Sequence, residues 1–136
     1  MPTIVPFETL AELPVNLANK FVGNSKAVFH RKPDPQSEYQ PIYWDQVIED
    51  VHSIASFLLS KDIAHGDRVG ILSENRYEWA VVDLAIQMIG AVNVSLYTTL
   101  PSSQCEYILQ DSETKLFFVS TGIQLKKAVE VFDNCE

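Results

Sequence analysis

The chain has 136 residues, 46 % apolar and 10 % aromatic, a make-up that suits one folded domain and excludes a disordered tail. Eighteen acids against ten bases leave a formal charge of −8, and no Lys/Arg run exceeds two residues (Arg31-Lys32, Lys126-Lys127). Binding by phosphate neutralisation is therefore disfavoured, which argues against nucleic acid as a partner and against docking on an anionic membrane.

The longest uncharged stretch, residues 84–105, contains Gln87, Asn93, Ser95, Thr98, Thr99 and Pro101, so no integral membrane segment is expected. The start, Met1-Pro2-Thr3-Ile4-Val5-Pro6, lacks the basic opening and apolar run of a secretory signal. Cys105 and Cys135 stand thirty positions apart with no Cys or His neighbour, and a reduced, cytoplasmic compartment is the expectation.

In chain order, Pro14 opens a short predicted helix with Leu17, Ala18 and Phe21 on one face. Residues 27–30 and 39–44 read as two strands joined by the turn chemistry of residues 32–38, a short β-hairpin. Val47, Ile48, Val51, Ile54, Ala55, Leu58 and Leu59 repeat at a period of 3.6 and predict the first long helix. Its acids Asp45, Glu49 and Asp50 lie early and Lys61 late, as the helix dipole prefers, and His65-Gly66-Asp67 ends the element with a turn.

Residues 68–73 read as a strand. Asn75 and Glu78 have the spacing of a capping box, opening a helix from Arg76 to about Ile89. That helix is apolar most of the way round and predicts burial on more than one side. Gly90 is placed to terminate it, and residues 91–96 form the next strand. Ser103 and Glu106 repeat the capping-box spacing before a short helix with Tyr107, Ile108 and Leu109. Residues 115–119 are a third strand. A last helix from Gly122 to about Phe132 carries Leu125, Ala128, Val129 and Phe132 as its apolar face. Two consecutive βαβ crossovers predict an α/β fold, a parallel sheet of βαβ units flanked by helices and preceded by the hairpin.

Little in this frame announces chemistry. The glycines (Gly23, Gly66, Gly70, Gly90, Gly122) form neither G-x-G-x-x-G nor G-x-x-x-x-G-K-[ST]. Where a phosphate cradle would follow the first parallel strand, the chain reads Ser73-Glu74-Asn75-Arg76, and a carboxylate there repels phosphate. His30, His52 and His65 share no metal spacing and read as surface residues. Cys105 sits where a helix N-terminus could acidify it, but a small buried residue is the simpler reading. Glu74, Glu78 and Asp83 do not form a paired-carboxylate site, since Glu78 and Asp83 lie on different sides of their helix. Ligands of open α/β sheets bind beyond the strands' carboxyl ends, here residues 73–75, 97–99 and 120–121. Tyr97, Thr98 and Thr99, with three hydroxyls and an aromatic body, are the groove candidates; a plain polar loop is the alternative.

The run Gly66-Asp67-Arg68-Val69-Gly70-Ile71-Leu72-Ser73-Glu74-Asn75-Arg76-Tyr77-Glu78-Trp79 resembles a block of the long-chain acyl-CoA synthetases, adenylate-forming, AMP-binding enzymes. Asp83-Leu84-Ala85, Gly90-Ala91-Val92, Leu96-Tyr97-Thr98-Thr99, Tyr107-Ile108-Leu109, Asp111-Ser112-Glu113 and the strand of residues 116–119 follow in that family's order, and Trp44 and Val47 match the start of its first long helix. The resemblance is close over residues 40–120 and loose before them. Tyr77 and Ser95 stand where the family often has Pro, which concerns backbone stiffness only.

The resemblance implies an N-terminal portion of the large AMP-binding domain of a fatty-acid–CoA ligase: 1–44 the extension and hairpin, 45–136 a helix plus βαβαβα. Such enzymes join a fatty acid to ATP, release pyrophosphate and pass the acyl group to CoA, using Mg²⁺. Their Ser/Thr/Gly-rich phosphate loop, adenine-site motif and C-terminal lid have no counterpart here, so no catalytic, cofactor-binding or metal residue is carried over. The expectations are an inactive fragment that binds none of these cofactors itself, self-association into a homo-oligomer through an exposed sheet edge or swapped elements, and, for the whole enzyme, a cytoplasmic protein whose lipid substrate leaves peripheral membrane contact open. The competing expectations are a complete, non-enzymatic α/β binding or interaction module and, less favoured without a glycine loop, a nucleotide-binding domain of another class.

Overall fold

A computed structural model describes residues 7–21 and 27–132; Gly23 and Cys135 fall outside them. Helix α1 (Leu13–Lys20) begins with Pro14 in its first turn, where the missing N–H costs nothing. Strands β1 (Phe29–Arg31) and β2 (Gln40–Ile42) pair antiparallel with Phe29 opposite Ile42. The turn between them is held by Asp34, whose carboxylate accepts the Gln36 N–H at 2.9 Å. The second strand is shorter than the sequence predicts, because Trp44 already belongs to helix α2 (Trp44–Ser60).

The main sheet follows as β3 (Arg68–Leu72), α3 (Tyr77–Met88), β4 (Val92–Leu96), α4 (Ser102–Asp111), β5 (Leu116–Val119) and α5 (Gly122–Phe132). All three strands are parallel, and their order is β4-β3-β5. The chain therefore steps one way from β3 to β4 and back across β3 to reach β5. Crossovers of one hand that step in opposite directions put their helices on opposite faces. The core divides accordingly. Val69 and Ile71 of β3 pack with α2 and α3 on one face, through Val47, Val51, Leu58, Val81, Ala85 and Ile86. Leu72 and Leu96 pack with Cys105, Leu109 and Val131 of α4 and α5 on the other. The two-residue alternation of a strand buried on both sides thus feeds two cores. Gly70 marks how tightly the second is closed: a Cβ there would lie 2.6 Å from Phe117 Cδ2.

Helix α3 has no exposed residue, as its all-round apolar sequence predicts. Gly90, at φ 72°, ends it: Gly90 N–H bonds the Gln87 carbonyl and Ala91 N–H the Ile86 carbonyl, the two bonds of a Schellman motif. Asp62 (φ 58°) and Glu113 (φ 50°) perform the same turn for α2 and α4. Helix α2 thus stops at Ser60 and turns through Lys61-Asp62, before the predicted His65-Gly66-Asp67 turn.

Three local expectations are corrected. Neither capping box forms: the N-caps are Arg76 and Pro101, and neither helix start receives a side-chain cap. Glu78 instead bonds two arginines, Arg31 Nη2 at 2.8 Å and Arg76 Nε at 2.9 Å. Leu59 of α2 is exposed. In α5 the predicted apolar face is turned outward: Leu125, Val129 and Phe132 are exposed (Phe132 78 %), while Gln124 and Val131 are buried. The face of α5 that meets the fold is the one over α4 and the end of β3, and among the described residues nothing covers the other.

Candidate functional site

The strand order places a topological switch point between β3 and β5, because the connections leaving this pair run to opposite sides. A cleft of about 270 Å³ opens there, at the strands' carboxyl ends. Ile71, Phe118, Val119 and Val82 supply its apolar surfaces and Trp79 an aromatic one; Ser73, Ser120, Arg76 and Glu78 supply its polar groups. The strands position Ile71, Phe118 and Val119, and the first turns of α3 bring Glu78, Trp79 and Val82.

Arg76 spans the mouth. Its Nε donates to Glu78 at 2.9 Å and its Nη1 to the Ser120 carbonyl at 3.1 Å. Glu78 is pushed up by burial, but its own backbone N–H and the two arginines outweigh that and hold its carboxyl below the ordinary value.

Glu74 lies just behind. It accepts the Ser120 hydroxyl and the Gln124 amide (3.0 Å). The Ser120 hydroxyl, Glu74's own backbone N–H and Gln124 keep its carboxyl below the ordinary range, so it is an anion at neutral pH. Gln124, only 4 % exposed, was not singled out in the sequence; its burial follows from Glu74, which reaches it across fifty residues. Its Oε1 has no hydrogen-bond partner among the described residues.

The sequence-derived groove residues lie apart from this cleft, beyond the end of β4. The Tyr97 side chain is 79 % exposed, Thr99 is exposed and Thr98 half-buried. Lys127 of α5 fixes their backbone: its Nζ donates to the Thr98 carbonyl at 2.6 Å and the Leu100 carbonyl at 2.9 Å. A second cleft, about 510 Å³ and more polar, lies between the hairpin and the helices; there the Tyr77 hydroxyl donates to Asp50 at 2.6 Å.

Cys105 is a buried core residue, packed with Leu72 and Leu109, and burial pushes its thiol up. The three histidines are exposed. Asp83 accepts from Asn93 (2.6 Å) and Gln87 (2.8 Å), tying α3 to β4. Among the described residues no three His, Cys, Asp or Glu side chains gather as a metal site, and no helix is long and apolar enough to cross a membrane.

Similarity to known proteins agrees with this architecture. FadD15, a long-chain-fatty-acid–CoA ligase of Mycobacterium bovis, is 41 % identical over 86 residues, 63 % of this chain and 14 % of that ligase. The uncharacterized protein Rv1549 of Mycobacterium tuberculosis is 30 % identical over 112 residues, 79 % of this chain and 62 % of that protein. Of solved structures, the Mycobacterium tuberculosis fatty acyl CoA synthetase aligns with a TM-score of 0.61 at 26 % identity, over 71 % of this chain and 18 % of its own. The anthranilate CoA ligase AuaEII, solved with anthranoyl-AMP, aligns over 96 % of this chain and 24 % of its own with a TM-score of 0.78; at 23 % identity that likeness concerns the fold. The pattern that defines the "AMP-binding enzyme" family matches residues 18–136. It takes in α2, the whole parallel sheet and both crossovers, and the chain belongs to that family.

Proposed function

We propose that these residues are the N-terminal portion of the large domain of an ATP-dependent fatty-acid–CoA ligase, with 1–44 as extension and hairpin and 45–136 as the first helix and the βαβαβα sheet. The observation that carries this is the 41 % identity to a long-chain-fatty-acid–CoA ligase over 86 residues, of which this chain spans 14 %. The reaction of the whole protein would be fatty acid plus ATP to acyl-adenylate and pyrophosphate, then transfer to CoA with release of AMP.

The residues in hand do not fit ATP–Mg²⁺. The loop after β3 has no glycine cradle, and its Glu74 is an anion where phosphates would approach. Their part in the reaction is to form a scaffold. Calorimetric titration of ATP–Mg²⁺ into the chain, with and without a long-chain fatty acid, should give dilution heat only, and an acyl-CoA assay no turnover. Saturable, stoichiometric ATP binding would overturn the reading. We further propose that the isolated chain self-associates, through the sheet edges β4 and β5 or through α5; a strictly monomeric light-scattering mass would refute this.

The second reading is a non-enzymatic α/β binding or interaction module; this chain spans 62 % of one uncharacterized relative, Rv1549, against 14 % of FadD15. The reading frame after Glu136 separates the two: a Ser/Thr/Gly-rich loop ending in Lys supports the ligase, a stop codon the module.

A further inference from the structure

The outer edge of β4 is open: β3 is its one neighbour among the described residues. The register fixes which groups face outward. Arg68 stands opposite Val92, and the Val92 N–H donates to the Asp67 carbonyl at 2.8 Å. Backbone groups alternate sides along a strand. Val92, Val94 and Leu96 therefore turn theirs to β3, while Asn93 and Ser95 turn their N–H and C=O groups away from the sheet.

Proteins guard such edges with charge or proline. β4 carries neither, since it lies inside the uncharged run of residues 84–105. In a protein of net charge −8, this is an edge that two copies can approach without setting like charges directly opposite. Ser95, where the long-chain acyl-CoA synthetases often have Pro, keeps an outward donor that proline removes, an effect beyond backbone stiffness. The other edge of the sheet is guarded: β5 starts beside Lys115, and Arg76 donates to the Ser120 carbonyl just past its end.

The β4 edge is also complementary to itself. With two copies antiparallel about a two-fold axis at Val94, Asn93 of each lies opposite Ser95 of the other, and each such pair exchanges both of its backbone bonds. Val94 then meets Val94, and Val92, 48 % exposed in the single chain, lies opposite Leu96. Apolar residues thus meet apolar ones on one face of the seam, and Asn93 meets Ser95 on the other.

We infer that β4 docks edge to edge on β4 of a second copy, joining the two sheets into one, with the Ser95 N–H as the group that permits it. This rests on the self-association proposed above and assigns it to one edge and one register.

The test uses the 136-residue chain. Sedimentation velocity should show a monomer–dimer equilibrium with a dissociation constant on the order of 100 μM, as suits so small an interface. S95P should weaken it about thirtyfold, the worth of two neutral hydrogen bonds. Its circular dichroism should match the parent's, because the N–H it removes faces away from β3. S95A loses the same hydroxyl but keeps the N–H, and should dimerise as the parent does. In a C135S background, oxidation should join V94C to its copy, since opposed residues of a non-hydrogen-bonded pair have Cα atoms about 4.5 Å apart, within disulfide reach. V92C, though more exposed, faces Leu96 and should stay unjoined. The cysteine variants decide the matter even if S95P does not fold. A monomer at every concentration would overturn both this inference and the self-association it rests on. A dimer that S95P leaves intact, or one joined through V92C and not V94C, would overturn the β4 assignment alone. Neither readout involves ATP or turnover, so both are independent of the ligase reading.

Discussion

The Arg68 guanidinium donates from Nε to the Ser112 carbonyl at 2.6 Å, joining the first residue of β3 to the C-terminal end of α4, forty-four positions later. Nη2 reaches the Glu113 carbonyl at 3.3 Å and Nη1 the Gly66 carbonyl at 3.4 Å. A fixed cation thus meets the negative end of a helix whose last carbonyls lack intrahelical partners. Arg68 also pairs with the Glu113 carboxylate, but that group is 81 % exposed and contributes at most about 1 kcal/mol. R68M should therefore cost about 1–3 kcal/mol in urea unfolding, R68K should recover only part because ammonium lacks the fork, and E113Q should cost little.

The left-handed turns give a pair of opposite predictions. At Gly90, φ is 72° and a Cβ would lie 2.5 Å from His65 Cδ2. G90A should lose about 1–2 kcal/mol from the backbone alone and more from the clash; adding H65A should restore only the clash. At Asp62, φ is 58° in the same kind of turn, so D62G should raise stability by about 0.5 kcal/mol. Thermal melts of the three variants check both signs.

Stability should fall at both ends of the pH scale for separate reasons. Lys115, at 2.7 Å, and the Ala64 N–H, at 2.8 Å, hold the Asp67 carboxyl below its ordinary 3.8. A depressed folded-state value contributes stability above the unfolded pKa and loses it as pH falls, so the acid decline sets in below about pH 4. D67N should flatten it. Burial, then the Asp50 hydrogen bond, raises the Tyr77 hydroxyl above its ordinary 10.0. A raised folded-state value contributes fully below the unfolded pKa and is lost as pH climbs past it, here above about pH 10. Y77F should be flat in that range and about 1 kcal/mol less stable at neutrality. Urea midpoints measured from pH 3 to 11 test both limbs.

Lys127 should govern how firmly the Tyr97–Thr99 loop is held. K127M removes two charge-assisted bonds to the Thr98 and Leu100 carbonyls. A loss of about 2 kcal/mol in local opening would speed hydrogen exchange of residues 97–101 about thirtyfold. Exchange within α2 and α3 should not change.

Helices and strands were legible wherever one face had to be apolar: the period-3.6 run of α2, the all-round apolar α3 and the three strands all occur close to their expected places. The start signals misled because a distant partner outbid a local one. Glu78 has capping-box spacing from Asn75, yet Arg31 of the hairpin and Arg76 take its carboxylate. In α5 the stripe Leu125, Val129, Phe132 has core periodicity, yet Gln124 is drawn inward by Glu74 and the stripe faces out.

From its sequence alone this protein is an acidic α/β chain with parallel strands, an anion rather than a phosphate cradle after the first of them, and the residue blocks of the AMP-binding enzymes. Those properties reside in side-chain order over a few turns of chain. Only the tertiary structure decided the order β4-β3-β5. The handedness of a crossover is dictated by the twist of the strand, but the side on which the next strand joins depends on which edge buries it better. That choice put β5 beside β3, set Ser120 against Glu74 and Arg76 from forty-odd residues away, and opened a cleft there.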